Sequence, residues 1–209
     1  MAQKDVGNKI PIYKLKTTDE VMKYYDEWGF KNKYDQDMID WNYTGPKETV
    51  AVFKKYTKNK AIKIYDAGCG TGLVGLELKK FGYNYFDGAD LSQKLLDLVP
   101  KNLYQNLSKV DLNKNIQIKD NNYDAVMCVG TFTYGHVKPH ALDEFIRITK
   151  NKGLICFTIN EGIYEEYGFD KKIEELKSKK ILNVKEFFKS NYIASKDVNA
   201  WLCLAEIIK

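Results

Sequence analysis

Arginine is nearly absent from this chain: of 33 basic residues among 209, Arg147 alone carries a guanidinium and the others are lysines. Forked, stacking contacts to bases and phosphates favour arginine. A net charge of +5 carried by lysine therefore reads as a solvated surface and counts against a nucleic-acid partner. Histidine is almost as scarce, with only His136 and His140. Together with four scattered cysteines and no CxxC pair, that leaves little material for a metal site, and none is expected. No run approaches the roughly 18 apolar residues of a membrane span. The first twenty residues have neither the apolar core of a signal peptide nor the Arg-rich face of a transit peptide. The expectation is no membrane and a reduced, cytoplasmic setting, with Cys69, Cys128, Cys156 and Cys203 as free thiols.

What remains is an ordinary globular mixture, 44% hydrophobic and 29% charged, of a size that suits one domain. Residues 1–59 are polar, aromatic and broken by Gly and Pro. Two or three short helices are expected there, the last over Glu48–Tyr56 behind Gly45-Pro46, forming an N-terminal cap or lid. From residue 60 to 209 apolar runs alternate with helical spacing. Strands are expected at Ile62–Ala67, Tyr83–Ala89, Lys109–Leu112, Tyr123–Val129 and Leu154–Ile159, the last opened by a turn at Asn151-Lys152-Gly153. Helices are expected over Leu73–Phe81, after Ser92, after Pro139 and over Asp170–Lys180. Two β-rich stretches close the chain, Val184–Ile193 and Ala200–Ile208, with too little between them for a crossover helix. The fold class is therefore α/β: a Rossmann-like, seven-stranded, mostly parallel sheet with an antiparallel last strand, helices on both faces and a helical N-terminal cap.

The informative motif is Asp66-Ala67-Gly68-Cys69-Gly70-Thr71-Gly72, between the first strand and the first helix of this alternation. It parses two ways. Gly70, Gly72 and Gly75, with Asp90 twenty residues later, fit a dinucleotide fingerprint. Gly68, Gly70 and Gly72 preceded by Asp66 suit S-adenosylmethionine. Charge separates the two, because a carboxylate beside the turn opposes a pyrophosphate but welcomes an ammonium and a sulfonium. Asp90, with Leu91 after it, ends the second strand where an acid accepts both ribose hydroxyls; the alternative is an acid merely flanking the Ser92 helix start. Asp111 and Leu112 follow the third strand and suit the adenine amino group and ring.

At these residues the sequence resembles the class I S-adenosylmethionine-dependent methyltransferases across nearly the whole chain. YDAGCGTGLVGLEL is similar to that family's first motif, YFDGADLS to its ribose-binding segment, NYDAVMCVGTF to its fourth-strand motif and EFIRITKNKGLICFTI to its helix-to-strand segment. More narrowly, YDEWGFKNKYDQD, LVGLEL, LYQNL and VGTFTYGHV resemble the Williams–Beuren syndrome chromosome-region methyltransferase-like group. The resemblance implies S-adenosylmethionine as cofactor and S-adenosylhomocysteine as product. It implies binding through Asp66, Gly68, Gly70, Asp90 and Asp111, with Val129 and Gly130 near the methionine end; Cys69 and Gly72 complete the turn.

Methyl transfer needs alignment and exclusion of water, and a general base only when the acceptor arrives protonated. His136 is the candidate base, following the fourth strand at the carboxyl edge of the sheet; it could equally be a surface histidine in a Gly-His-Val turn. Tyr34 in the cap is a candidate for the methionine carboxylate or the acceptor. Tyr24, Trp28, Tyr134 and Tyr164 are candidates for the acceptor, although aromatic residues of a small cap also form its core. Glu161, Glu165 and Glu166 beside Tyr164 and Tyr167 would suit a cationic acceptor. The expectation is a small-molecule methyltransferase, monomer or homodimer, without nucleic acid. The alternatives are a protein or RNA methyltransferase and a non-catalytic cofactor-binding protein.

Overall fold

The computed structural model describes residues 14, 15, 17–29 and 33–209. Residues 1–13 of the expected cap lie outside the described residues. Three helices precede the sheet. Helix α1 (Thr18–Trp28) is opened by a capping box in which the Thr17 hydroxyl accepts the Glu20 N–H and the Glu20 carboxylate accepts the Thr17 N–H. Helix α2 (Lys33–Asp40) follows, then α3 (Gly45–Tyr56), which takes in Gly45-Pro46 and so starts three residues before the expected Glu48.

The α/β unit continues with β1 (Ile64–Ala67), α4 (Leu73–Lys80), β2 (Phe86–Asp90), α5 (Gln93–Leu98) and β3 (Leu107–Lys109). Next come β4 (Tyr123–Phe132), α6 (Ala141–Ile148), β5 (Thr149–Asn160), α7 (Phe169–Ser178), β6 (Leu182–Ile193) and β7 (Val198–Ile207). The seven strands lie in the order β3-β2-β1-β4-β5-β7-β6. Strands β1 to β5 pair in parallel, and β7 runs antiparallel between β5 and β6. This is the expected mostly parallel sheet with an antiparallel last strand.

Helices cover both faces because the inner strands are apolar on both sides. Val50, Val52 and Phe53 of α3 pack with Val74, Leu78 and Leu96 on one face. Leu142, Phe145 and Ile148 of α6 pack with Phe169, Ile173 and Leu176 of α7 on the other. Thus α3, which falls within residues 1–59, belongs to the helical layer of the sheet, whereas α1 and α2 sit at the sheet's end. There Val21, Trp28 and Met38 share a core with Tyr192, Ile193, Val198 and Ala200 of β6 and β7. Tyr43 forms a bridge with Ile193, and the Ser195 hydroxyl donates to the Trp41 carbonyl.

Several boundaries differ from expectation; β2 starts at Phe86 rather than Tyr83, and β4 runs on to Phe132 rather than ending at Val129. The third strand ends at Lys109, before Asp111, because it is a short exposed edge with no burial pattern to mark it. The expected turn at Asn151-Lys152-Gly153 lies inside β5, where Lys152 takes φ 61° and the β4 register shifts between Tyr123 and Ala125. A bulge bends the strand there without ending it.

Candidate active site

The sheet reverses direction of winding at β1, with β2 on one side and β4 on the other, and open α/β sheets place ligands outside that point. Here β1 ends in the glycine turn. The N–H groups of Gly68 and Cys69 donate to the Ala89 carbonyl at 2.7 and 2.9 Å, and the Gly70 N–H donates to Asp90 Oδ2 at 2.9 Å. The turn is thereby tied to the end of β2. Gly68 and Gly70 take φ 79° and 53°, the left-handed region that favours glycine. A Cβ on Gly68 would collide with the Thr131 side chain, whereas one on Gly70 would meet nothing within 4 Å.

That open space belongs to a cleft of about 670 Å³ including its mouth. Of the residues expected at the site, Tyr34, Gly68, Gly70, Asp90, Leu91, Asp111, Leu112, Val129, Gly130 and His136 line it together. Asp90 accepts the Ser92 N–H with its other oxygen, at 2.9 Å; burial pushes its carboxyl up against the pull of these N–H groups. Asp111 accepts the Asn113 N–H at 3.0 Å and pairs with Lys114 at 3.3 Å.

Asp66, Cys69 and Gly72 lie behind the wall. Asp66 is wholly buried: Oδ2 accepts the Tyr104 hydroxyl at 2.6 Å, and Oδ1 has no hydrogen-bond partner. Burial pushes its carboxyl up to about 7, the Tyr104 hydrogen bond lowers it and the Asp90 charge raises it. The Cys69 thiol is buried in the core and pushed up by burial, and Gly72 is the N-cap of α4.

His136 is held at both ring nitrogens. Nδ1 lies 2.6 Å from the Tyr134 carbonyl, which only accepts, so Nδ1 carries the proton and Nε2 accepts the Tyr25 hydroxyl at 3.0 Å. Burial lowers its pKa to about 4, helped by the Lys138 charge. Tyr25 of the cap lines the cleft too, and Val21, Met22, Leu95, Val110, Asn113, Thr131, Gly135 and Val137 line it without having been singled out in the sequence. Capping and apolar spacing explain most of them locally, so nothing marked them as site residues.

The acceptor candidates separate. Trp28 lines a second, smaller pocket of about 360 Å³ beside the cleft. Tyr24 packs edge-on against Trp28 at 5.2 Å and lines neither space. Tyr134 contributes its carbonyl to His136, while its ring meets Tyr167 at 6.0 Å. Tyr164 lies against Phe187 and Trp201, away from the cleft. Glu161 is consumed by Lys189 at 2.6 Å and by Asn199, so it is no free carboxylate for a cationic acceptor. No group of three or more metal-ligating side chains occurs among the described residues. Among them, too, no helix is long and apolar enough to cross a membrane.

Residues 65–157 match the family model of a methyltransferase domain. Human methyltransferase-like protein 27 is 33% identical over 141 residues, covering 66% of this chain and 56% of that protein. The chain spans about half the length of the curated relatives it matches. Among solved structures, a chain from the complex between the Haloferax volcanii Trm112 methyltransferase activator and its methyltransferase is similar, with a TM-score of 0.66 and 16% identity. That match covers 88% of this chain and 98% of the other. A SAM-dependent methyltransferase from Aquifex aeolicus follows the same fold, with a TM-score of 0.57 and 16% identity over 77% of this chain and 89% of its own.

Proposed function

Residues 65–157 belong to a methyltransferase domain of the class I S-adenosylmethionine-dependent fold, and from that premise we propose that the chain methylates a small-molecule acceptor held beneath the α1–α2 cap. The observation that carries this reading is the cleft itself, in which the glycine turn, Asp90 and Asp111 line one continuous space under cap residues Val21, Met22, Tyr25 and Tyr34.

The residues fit the cofactor. The buried Asp66 carboxylate, behind the glycine turn and with Oδ1 unpartnered among the described residues, would draw the methionine ammonium from behind the wall, and the empty side of Gly70 leaves room for close backbone approach. Asp90 keeps acceptor capacity for two ribose hydroxyls, and Asp111 with Leu112 suits the adenine. S-adenosylmethionine supplies an electrophilic methyl whose bonding pair stays on sulfur when the acceptor's lone pair takes it. Around it the chain orients and excludes water. Tyr34, facing Asp90 and Asp35, is held as the neutral phenol by burial and those charges. His136 orients the Tyr25 hydroxyl and receives a proton only by relay through it. Assignment to the Williams–Beuren group and a cytoplasmic setting are part of the same reading.

A protein partner is the second reading, favoured by the likeness to a chain solved with the Trm112 activator. Calorimetry with S-adenosylhomocysteine, followed by a turnover screen of amines, acids, phenols and thiols, tests the first. Saturable cofactor binding with turnover of a small acceptor is expected; folded protein without binding would overturn the reading.

A further inference from the structure

The smaller pocket is walled by Tyr25, Trp28, Tyr34, Trp41, Tyr43 and Tyr192. Tyr25, Tyr34 and Gly130 line both this pocket and the cleft, so the two spaces share a wall where cofactor and acceptor would meet. From this juxtaposition we infer that the six-ring pocket is the acceptor site and that it takes an amine bound through its cationic nitrogen. The inference rests on the methyltransferase reading and narrows it to one acceptor class.

Ring geometry is the first argument. Trp28 meets Tyr34 edge-on at 5.0 Å, Trp41 at a tilt at 5.5 Å and Tyr25 in a stack at 5.9 Å, and Tyr43 meets Tyr192 edge-on at 5.0 Å. Rings packed at such mixed angles wall the space with edges and negative faces together, and the negative faces attract alkylated ammonium groups. Trp28 Nε1 also donates to Asp37 Oδ2 at 2.6 Å, which adds electron density to the indole face. Lys196 already places a cation 5.2 Å from the Trp41 ring centre.

Charge is the second and independent argument. Helices α1 and α2 carry Asp19, Glu20, Asp26, Glu27, Asp35, Asp37 and Asp40 against Lys23 and Lys33. An acidic cap on a lysine-rich body raises the local concentration of cations at the mouth. Among the described residues no Lys, Arg or His lines the pocket, so a carboxylate acceptor would find no counter-charge in that lining. A hydroxyl acceptor would need a strong base, whereas the neighbouring His136 is already taken by Tyr25.

An amine makes no such demand. The bound ammonium first loses one proton to the Tyr25 hydroxyl, whose own proton passes to His136 Nε2 and from there to solvent. Its nitrogen lone pair then forms the N–C bond as the S–C bond breaks toward sulfur. One cationic sulfonium and one ammonium become a neutral thioether, one methylated ammonium and one released proton. Positive charge faces the rings before and after.

The test uses the full chain saturated with S-adenosylhomocysteine, with choline as the probe cation and 3,3-dimethylbutan-1-ol as its neutral isostere. Tryptophan fluorescence and calorimetry should show choline binding at least tenfold more tightly. Trp41→Leu should remove that preference and Trp41→Phe should keep most of it, with unchanged circular dichroism confirming that each variant is folded. Equal affinities would make the pocket merely apolar and overturn the inference. A preference that survives Trp41→Leu and Trp28→Leu would place the cation on the cap acids and overturn it too, as would no binding of either probe. Failure of S-adenosylhomocysteine to bind would instead remove the methyltransferase reading, and this inference with it.

Discussion

The Asp90 carboxylate accepts the backbone N–H of Gly70 at 2.9 Å, so the acid at the end of β2 holds the turn at the end of β1. Under the proposed function, ligand binding and turn geometry therefore depend on one side chain. Asp90→Ala should weaken S-adenosylhomocysteine binding by about 100-fold or more, the loss of two charge-assisted hydrogen bonds of roughly 1.5–3 kcal/mol each. Asp90→Asn, which keeps one acceptor oxygen, should lose less. Calorimetry on both variants checks the order.

The role proposed for Asp66 makes cofactor affinity depend on pH. Burial pushes its carboxyl up to about 7, and a ligand ammonium on the cleft side of the turn favours the ionised form. Affinity for S-adenosylhomocysteine should rise from pH 6 toward 7 and level off above it, with proton release detectable in buffers of different ionisation heat. Without ligand, the raised value means that the folded state holds a proton the unfolded state has lost. Stability from this group therefore falls as pH rises from about 4 to about 7. Asp66→Asn should flatten both profiles.

His136 behaves in the opposite direction. Burial lowers its pKa to about 4 from the usual 6.5, so it is neutral in the fold and its contribution is intact above 6.5. That contribution is lost as pH falls from 6.5 toward 4, and His136→Gln should remove this part of the acid slope in denaturant titrations. Because His136 acts through Tyr25, Tyr25→Phe and His136→Gln should lower kcat by similar factors, and the double variant by little more.

The lone arginine is spent inside the molecule. Arg147 donates to both Glu144 oxygens at 2.8 Å, to Asp120 at 2.7 Å and to the carbonyls of Ile116 and Ile118 at 2.8 and 2.7 Å. It staples the segment after Asp111 to α6. An ammonium cannot reproduce the fork, so Arg147→Lys should cost about 1–3 kcal/mol, read as a lowered thermal midpoint.

Local features were legible in the sequence. Asp66 with the glycine turn closes one strand, Asp90 closes the next and Ser92 caps the helix after it, positions each readable from a few neighbouring residues. The pairing of Tyr43 and Tyr192 was not, because the α2–α3 turn and β6 meet only in the folded chain. Tyr164, a candidate for the acceptor, joins Phe187 and Trp201 beside the end of β5 and lines neither pocket, because its ring is taken up in this aromatic cluster. His136 was rightly put near the cleft, while its tie to Tyr25 required the cap's position.

The place of β7 also bears on how the molecule assembles. It is the seventh strand in chain order yet lies between β5 and β6, pairing with β5 from Leu154 to Asn160. Until β7 docks, β5 presents a long, buried-type edge with unpaired backbone groups, and β6 has no neighbour at all. Completion of the sheet is thus an insertion of a late strand into a gap. An intermediate lacking it would expose the kind of apolar edge that draws other chains, so conditions that slow this insertion should favour aggregation over refolding.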